Sequence, residues 1–219
     1  MSGGYHHFDF AALSARDRYK LIIGTVVPRP IALVTTRGPD GRVNAAPFSF
    51  FNSLSADPPI LAIGVENHAD MSFKDTARNI RMTEEFTVNI VDDAMVEAMN
   101  ICAVDFPPEV DELTMAGLTA LPGTHVGCPR IAEAPAAFEC RRHLTLELGR
   151  SREIVLGEVK GLFLRDGLVD PVTKHVDQRG LDAVGRMGGH GYARTRDLFD
   201  LRTPSLAEWT AACRVGRTG

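Results

Sequence analysis

Residues 73–79, FKDTARN, set Lys74, Asp75 and Thr76 side by side where the helical spacing of SFKDTARNIRMTEEF begins. A helix start presents unpaired N–H groups and the positive end of the helix dipole, and Lys74 adds a point charge, so its chemistry is anion binding. Ser72 is a further hydroxyl and a candidate cap, while Asp75 suits holding the loop. The same pattern also suits a solvated, ordinarily capped helix start. A second set lies in NAAPFSFFNSLSADPP, residues 44–59, where Ser49 separates Phe48 from Phe50 and Asn44, Ala45 and Ala46 precede Pro47. A buried strand would carry Val or Ile at such positions. Small residues there suit a backbone that approaches something flat and polar, or simply a neighbouring strand. The third set is GRMGGHGY, residues 185–192, with Arg186 and Tyr192 flanking Gly188 and Gly189, which permit close backbone approach. His190 in this run is a candidate proton donor; a loop histidine bonded to backbone is the plainer reading.

The elements that must position these residues follow from pattern. LSARDRYKLIIG reads as a short amphipathic helix with Ser14 as cap, Asp17 in its first turn and Gly24 as stop. Arg29 and Pro30 lead into IALVTT, where Thr35 and Thr36 offer hydroxyls; GPDGR is a turn and VNAAPFSF resumes extended structure, so a β-hairpin is expected. PPILAIGVE is a further strand with its first Pro at the edge or start, and EFTVNIV another. DDAMVEAMNICAVD carries a helical stripe of Ala94, Met95, Ala98, Met99 and Cys102, read as core packing. FPPEVDELTMAGLTALPGTHVGCPRIAEAPA reads as an irregular excursion with one short helix near DELTMAG. AFECRRHLTLELG, EIVLGEVKGLFLRDGLVD and a short HVD segment return to antiparallel strands, and Ser205 caps a last helix carrying the only Trp. Many short strands with few helices predict a mainly β, antiparallel barrel rather than a doubly wound sheet.

A chain of 219 residues, 44% hydrophobic and 24% charged, suffices for one domain spanning 1–219. No apolar run spans a bilayer, and the opening residues show no secretory pattern, so a cytoplasmic protein is expected. The net charge of −4, with Arg dispersed among acids, argues against nucleic acid and for a small partner. Cys102, Cys128, Cys140 and Cys213 form no CxxC pair and read as free, mostly buried thiols; His125, His143 and His175 show no metal-ligand spacing, so no metal is expected.

The order PRPIALVTT, GRVNAAPFSFFN, FKDTARN, FTVNI, FEC, GEVKG and VGRMGGHGY, over residues 19 to 194, resembles the flavin reductase-like family of FMN-binding split β-barrels, which includes flavoredoxins and the reductase components of two-component monooxygenases. The resemblance implies a homodimer of six-stranded Greek-key barrels, each holding FMN in a groove near the interface, with 195–219 as a C-terminal helical extension. It places the phosphate at Lys74 and Thr76, with Ser72 weaker. It places the isoalloxazine against Asn44, Ala45, Ala46, Ser49 and Phe50, with Arg29, Pro30, Thr35 and Thr36 in the ring and ribityl environment. Arg186, Gly188 and Tyr192 return to the flavin, with His190 on the substrate side. Met187 and His190-Gly191 depart from the family's Leu and Asn positions. The implied activity is hydride transfer from NADH or NADPH to flavin and onward to an acceptor such as a monooxygenase, which requires no catalytic acid or nucleophile. The alternative is a flavoredoxin-like electron carrier that does not oxidise NAD(P)H. No GxGxxG follows a strand, so a nicotinamide would bind without a Rossmann domain.

Overall fold

In chain order, the computed structural model, which describes residues 3–107 and 109–215, contains α1 (Ala15–Thr25), β1 (Arg29–Pro30), β2 (Ala32–Arg37), β3 (Val43–Phe48), β4 (Phe51–Ala56), β5 (Pro59–Glu66), α2 (Asp75–Thr83), β6 (Glu85–Ile90), α3 (Val96–Ile101) and α4 (Glu112–Ala116). It continues through β7 (Ala120–Leu121), β8 (Arg130–Ile131), β9 (Ala136–Leu148), β10 (Arg152–Leu164), α5 (Gln178–Leu181), β11 (Val184–Arg186), β12 (Tyr192–Arg194) and α6 (Leu206–Val215). Seven strands form one antiparallel sheet in the order β3-β2-β6-β9-β10-β5-β4. Its two terminal strands, β3 and β4, are consecutive in the chain and separated only by Ser49 and Phe50. The sheet must therefore curl until its edges meet, which makes it a barrel with a seam at those two residues. The expected count of six strands becomes seven because the bent run from Val43 to Ala56 breaks into β3 and β4 at that seam.

The two faces of β2 lead to two cores. Ala32 and Val34 join Ile63, Val65, Phe86, Val88, Cys140 and Val155 inside the barrel, with Ala77 and Ile80 of α2 packed among them. Leu33 faces outward with Ala45, onto Met95, Met99, Leu113 and Ile131 beneath α3 and α4. Phe86 is fully buried, a burial worth about 3 kcal/mol. Gly157 makes room for it, since a Cβ there would lie 2.2 Å from the ring. Apart from the main sheet, β1, β11 and β12 form a small sheet that carries the GRMGGHGY turn, and β7 pairs with β8.

Local expectations hold in part. Ser14 caps α1, accepting from the Asp17 amide, but the helix runs past Gly24 to Thr25. The β2–β3 hairpin forms with Thr35 opposite Ala45. Ser72 does not cap α2: Lys74 occupies that place, and the Ser72 hydroxyl donates to Asp70 at 2.6 Å. The helix after Asp92 is shortened to α3, leaving Ala94 exposed while Met95, Met99 and Cys102 enter the core. The HVD segment supplies a single bridge, Val169 to Val176. Ser205 caps α6, accepting from the Glu208 amide. Cys102, Cys128 and Cys140 are free and buried, and burial pushes the Cys102 and Cys128 thiols up to about 12 and 11; the Cys213 side chain lies outside the described residues. Among the described residues no helix is long and apolar enough to cross a membrane.

Candidate functional site

The seam opens into a groove along β3. Three adjoining cavities of about 330, 220 and 180 Å³ share Pro47 and Phe48 as their common wall. As a terminal strand of the sheet, β3 has one edge without a strand partner, which suits a proline there. The largest cavity runs from Ala46 and Asn44 to Lys74, Asp75 and Thr76, and is closed on its far side by Cys102 to Phe106, after α3, and by Glu112. The second holds Ser49, Arg186, Tyr192, Asn100 and Tyr19. The third holds Ser49, Phe50, Lys74, Glu66 and Arg152.

At the deep end, Asn44 donates its amide to the Thr76 hydroxyl at 3.0 Å, tying β3 to the first turn of α2. Lys74 in the cap position makes no side-chain capping bond, which leaves first-turn amides available to an anion beside the exposed ammonium. His68 lines the same cavity. Burial, and secondarily the charges of Asp111 and Asp75, hold the Glu112 carboxyl above its ordinary range, although it accepts the Ala45 amide at 3.2 Å. At the mouth, the Arg186 guanidinium stacks 4.5 Å over the Tyr192 ring and donates to the Gly189 carbonyl at 2.7 Å. The Tyr192 hydroxyl donates to Asn100 at 3.3 Å. Arg152 lies 4.6 Å over Phe50.

Of the residues singled out from sequence, Asn44, Ala46, Ser49, Phe50, Lys74, Thr76, Arg186 and Tyr192 line this groove. The others do not. Arg29 is a structural clamp: it is 6% exposed and donates to the carbonyls of Ile23, Val26 and Met187 and to the Ser49 hydroxyl, binding the end of α1 to the β11–β12 turn. Burial lowers the pKa of its guanidinium. Pro30 is exposed on the small sheet. Thr35 and Thr36 are fully buried; Thr35 bonds the Pro129 carbonyl, and Thr36 accepts from Asn79. Ala45 points its methyl into the outer core and spends its amide on Glu112. Ser72 is an exposed partner of Asp70. At Gly188 a Cβ would lie 3.3 Å from Gly24, so its role is the close packing of α1; Gly189 is the residue with positive φ, at 58°. His190 is exposed at the tip of the turn.

The far wall, Ala103 to Phe106, and His68 escaped sequence reasoning because they sit in irregular segments without periodicity, and Glu112 because the start of α4 shows nothing of what it meets. Pro47 and Phe48 lay within the quoted stretch, and the pairing of Phe48 with Ala32 places Phe48 on the inner face.

The fold is a curled antiparallel barrel whose seam groove ends on an uncapped helix start. The chain belongs to the flavin reductase like domain family, which matches residues 23–180. A Deinococcus radiodurans protein is 48% identical over 93% of this chain and 92% of its own. The structure is similar to nitrilotriacetate monooxygenase component B from Bacillus cereus (TM-score 0.87, 31% identity, 91% of this chain and 100% of that one). It is also similar to the 2-nitrobenzoate 2-nitroreductase NbaA of Pseudomonas fluorescens (TM-score 0.85, 37% identity, 92% and 98%).

The residues present fit a phosphorylated flavin. A cation and an uncapped helix start lie at one end, and at the other the apolar and aromatic side chains of Ile31, Phe48, Met99 and Tyr192 surround the small Ser49 and Ala103.

Proposed function

We propose that this chain is an FMN-dependent oxidoreductase that takes hydride from NADH or NADPH and passes electrons to a downstream acceptor. The observation that carries the proposal is the continuous groove along β3, from the Arg186–Tyr192 pair to Lys74 and Thr76. Bound flavin supplies hydride acceptance and electron transfer; the protein's part is holding and shielding. Lys74 and the first turn of α2 bind the phosphate, and Asn44 and Thr76 fix the polar chain beside it. Ser49, as the smallest side chain at the seam, leaves room for the ring edge, while Phe48 and Pro47 exclude water from one side. Arg186, held by Tyr192 and Gly189, places a cation at the mouth for an anionic donor or acceptor.

The likeness to a monooxygenase component at 31% identity supports a monooxygenase as the acceptor. The likeness to a nitroreductase at 37% identity supports a second reading, in which a small aromatic acceptor is reduced directly at the same mouth. We place the protein in the cytoplasm as one domain and as a homodimer. Leu144, Leu146 and Leu148 of β9 are 46%, 45% and 49% exposed, and the register sets Leu156 and Ile154 beside Leu144 and Leu146. A second copy covering this apolar face would also border the groove at Arg152 and Phe50.

The test is an absorption spectrum of FMN-loaded protein under anaerobic conditions, before and after NADH and then NADPH. Bleaching of the flavin bands by either donor supports the reductase. Bands that persist with both donors overturn it in favour of a carrier reduced by another protein.

A further inference from the structure

Past the phosphate end, the groove does not open freely. Beyond Asn44 and Asp75 it narrows to a cleft of about 50 Å³ beside Gly38 and Asp40, room for a few waters and not for a nucleoside. Glu112 lines both the main cavity and this cleft, standing at the constriction between them. The other carboxylates of the cleft have cations of their own: Asp40 pairs with Arg42 at 3.0 Å, and Asp75 pairs with Arg78. Glu112 instead accepts a neutral amide, that of Ala45, and is half-buried. On the other side of the cavity, Asp105 lines the exit. Lys74 is thus the lysine of a chamber whose carboxylates are Asp75, Asp105 and Glu112.

From this arrangement we propose that Glu112 is a specificity-determining residue that admits a flavin monophosphate and rejects the diphosphate of FAD. The inference rests on the flavin reading of the groove. A single phosphate is held between Lys74 and the start of α2. A second one, with its adenosine, must be placed against Glu112 at the constriction or against Asp105 at the exit, where a further negative charge meets a carboxylate in a partly desolvated setting. At a separation of about 8 Å and an effective dielectric near 30, such a charge pair opposes binding by a factor of about ten. The Ala45 amide keeps the carboxyl aimed in place, so the effect is one of charge and not of a mobile side chain.

The substitution Glu112→Gln removes the charge and retains an acceptor for the Ala45 amide. Dissociation constants for FMN, FAD and riboflavin are measured on the full chain by quenching of flavin fluorescence. In the unaltered protein FMN binds at least tenfold tighter than FAD. The variant gains about tenfold for FAD and less than threefold for FMN, with riboflavin unchanged, which also verifies that the variant is folded. An unchanged FAD-to-FMN ratio, or an equal gain for all three flavins, overturns the proposal. If the unaltered protein binds none of the three, the flavin reading itself fails and the inference falls with it.

Discussion

Thr35, Thr36, Asn79 and Asn89, inside and beneath the sheet, turn their polar atoms onto one another and onto neighbouring carbonyls; Asn44, Ser49 and Lys74 line a groove, Asn44 and Ser49 while also bonded to Thr76 and Arg29. The residue types overlap almost completely. What separates the two regions is which element arrives to cover each strand face. Thr35 meets the chain around Pro129, and Asn89 bridges the Leu33 carbonyl and the Ile131 amide at 3.0 and 2.9 Å. Thr36 meets Asn79 of α2. Directly across the hairpin from Thr36, Asn44 meets only the first turn of that helix, and beyond it the lining is cavity. The cations divide likewise: Arg29 spends its donors on carbonyls, whereas Lys74 stays exposed at a helix start. Polar residues whose partners are all within the fold stabilise it, and those left facing space are available to a ligand.

The comparison breaks most visibly at the seam. Ser49→Phe is expected to leave the folded protein with almost no flavin after incubation with FMN and dialysis, read by absorbance; full occupancy would mean that the ring does not lie there. Arg29→Met is expected to act on stability instead. Leaving three carbonyls without their donor costs about 3 kcal/mol, a fall in Tm of roughly 6–12 °C for a chain of this size, while flavin affinity of the folded fraction stays within threefold. Asn89→Ala, which strands buried groups of β2 and β8, should cost about 2 kcal/mol in denaturant unfolding, against about 0.5 kcal/mol or less for Asn44→Ala. Equal costs would erase the distinction between the regions.

The smallest effect concerns the surface ion cluster of Asp93, Arg194 and Arg196. Asp93 accepts from Arg194 at 2.8 Å and pairs with Arg196 at 2.7 Å, and these contacts hold its carboxyl below the ordinary range. A carboxyl with a lowered folded pKa stabilises fully above its unfolded value of about 3.9 and loses that contribution as pH falls through the folded value. Melting curves of the unaltered protein and Asp93→Asn should therefore differ at pH 6 and converge below about pH 4; solvent screening keeps the difference small.

Much of the barrel was legible because its strands are β-branched, apolar runs and its turns carry Gly, Pro and Asp: the β2–β3 hairpin, β5, β6 and the start of α2 fall where the residues predict. The strand β4 did not announce itself, since FNSLSA is small, polar and mostly exposed. Ser72 looked like a cap by type, but Asp70 is the nearer partner for its hydroxyl. Thr35 and Thr36, expected near the ligand, have their side chains buried off the groove for a physical reason: a strand covered on both faces buries successive residues, so alternation no longer tells inside from outside. The far wall of the groove is built by an irregular segment after α3, and nothing local in AVDF specifies where it will lie. Glu112 was visible only as part of a helix start; its meeting with Ala45 spans 67 residues.

The most direct test of the central claim, that the seam groove holds flavin with its phosphate at the start of α2, is the equilibrium binding of FMN and riboflavin to the unaltered protein and to Lys74→Ala. The account predicts that the substitution weakens FMN by about tenfold and leaves riboflavin within twofold, because only FMN carries the phosphate that Lys74 and the α2 amides receive. Equal losses for the two flavins, or none for either, would contradict it.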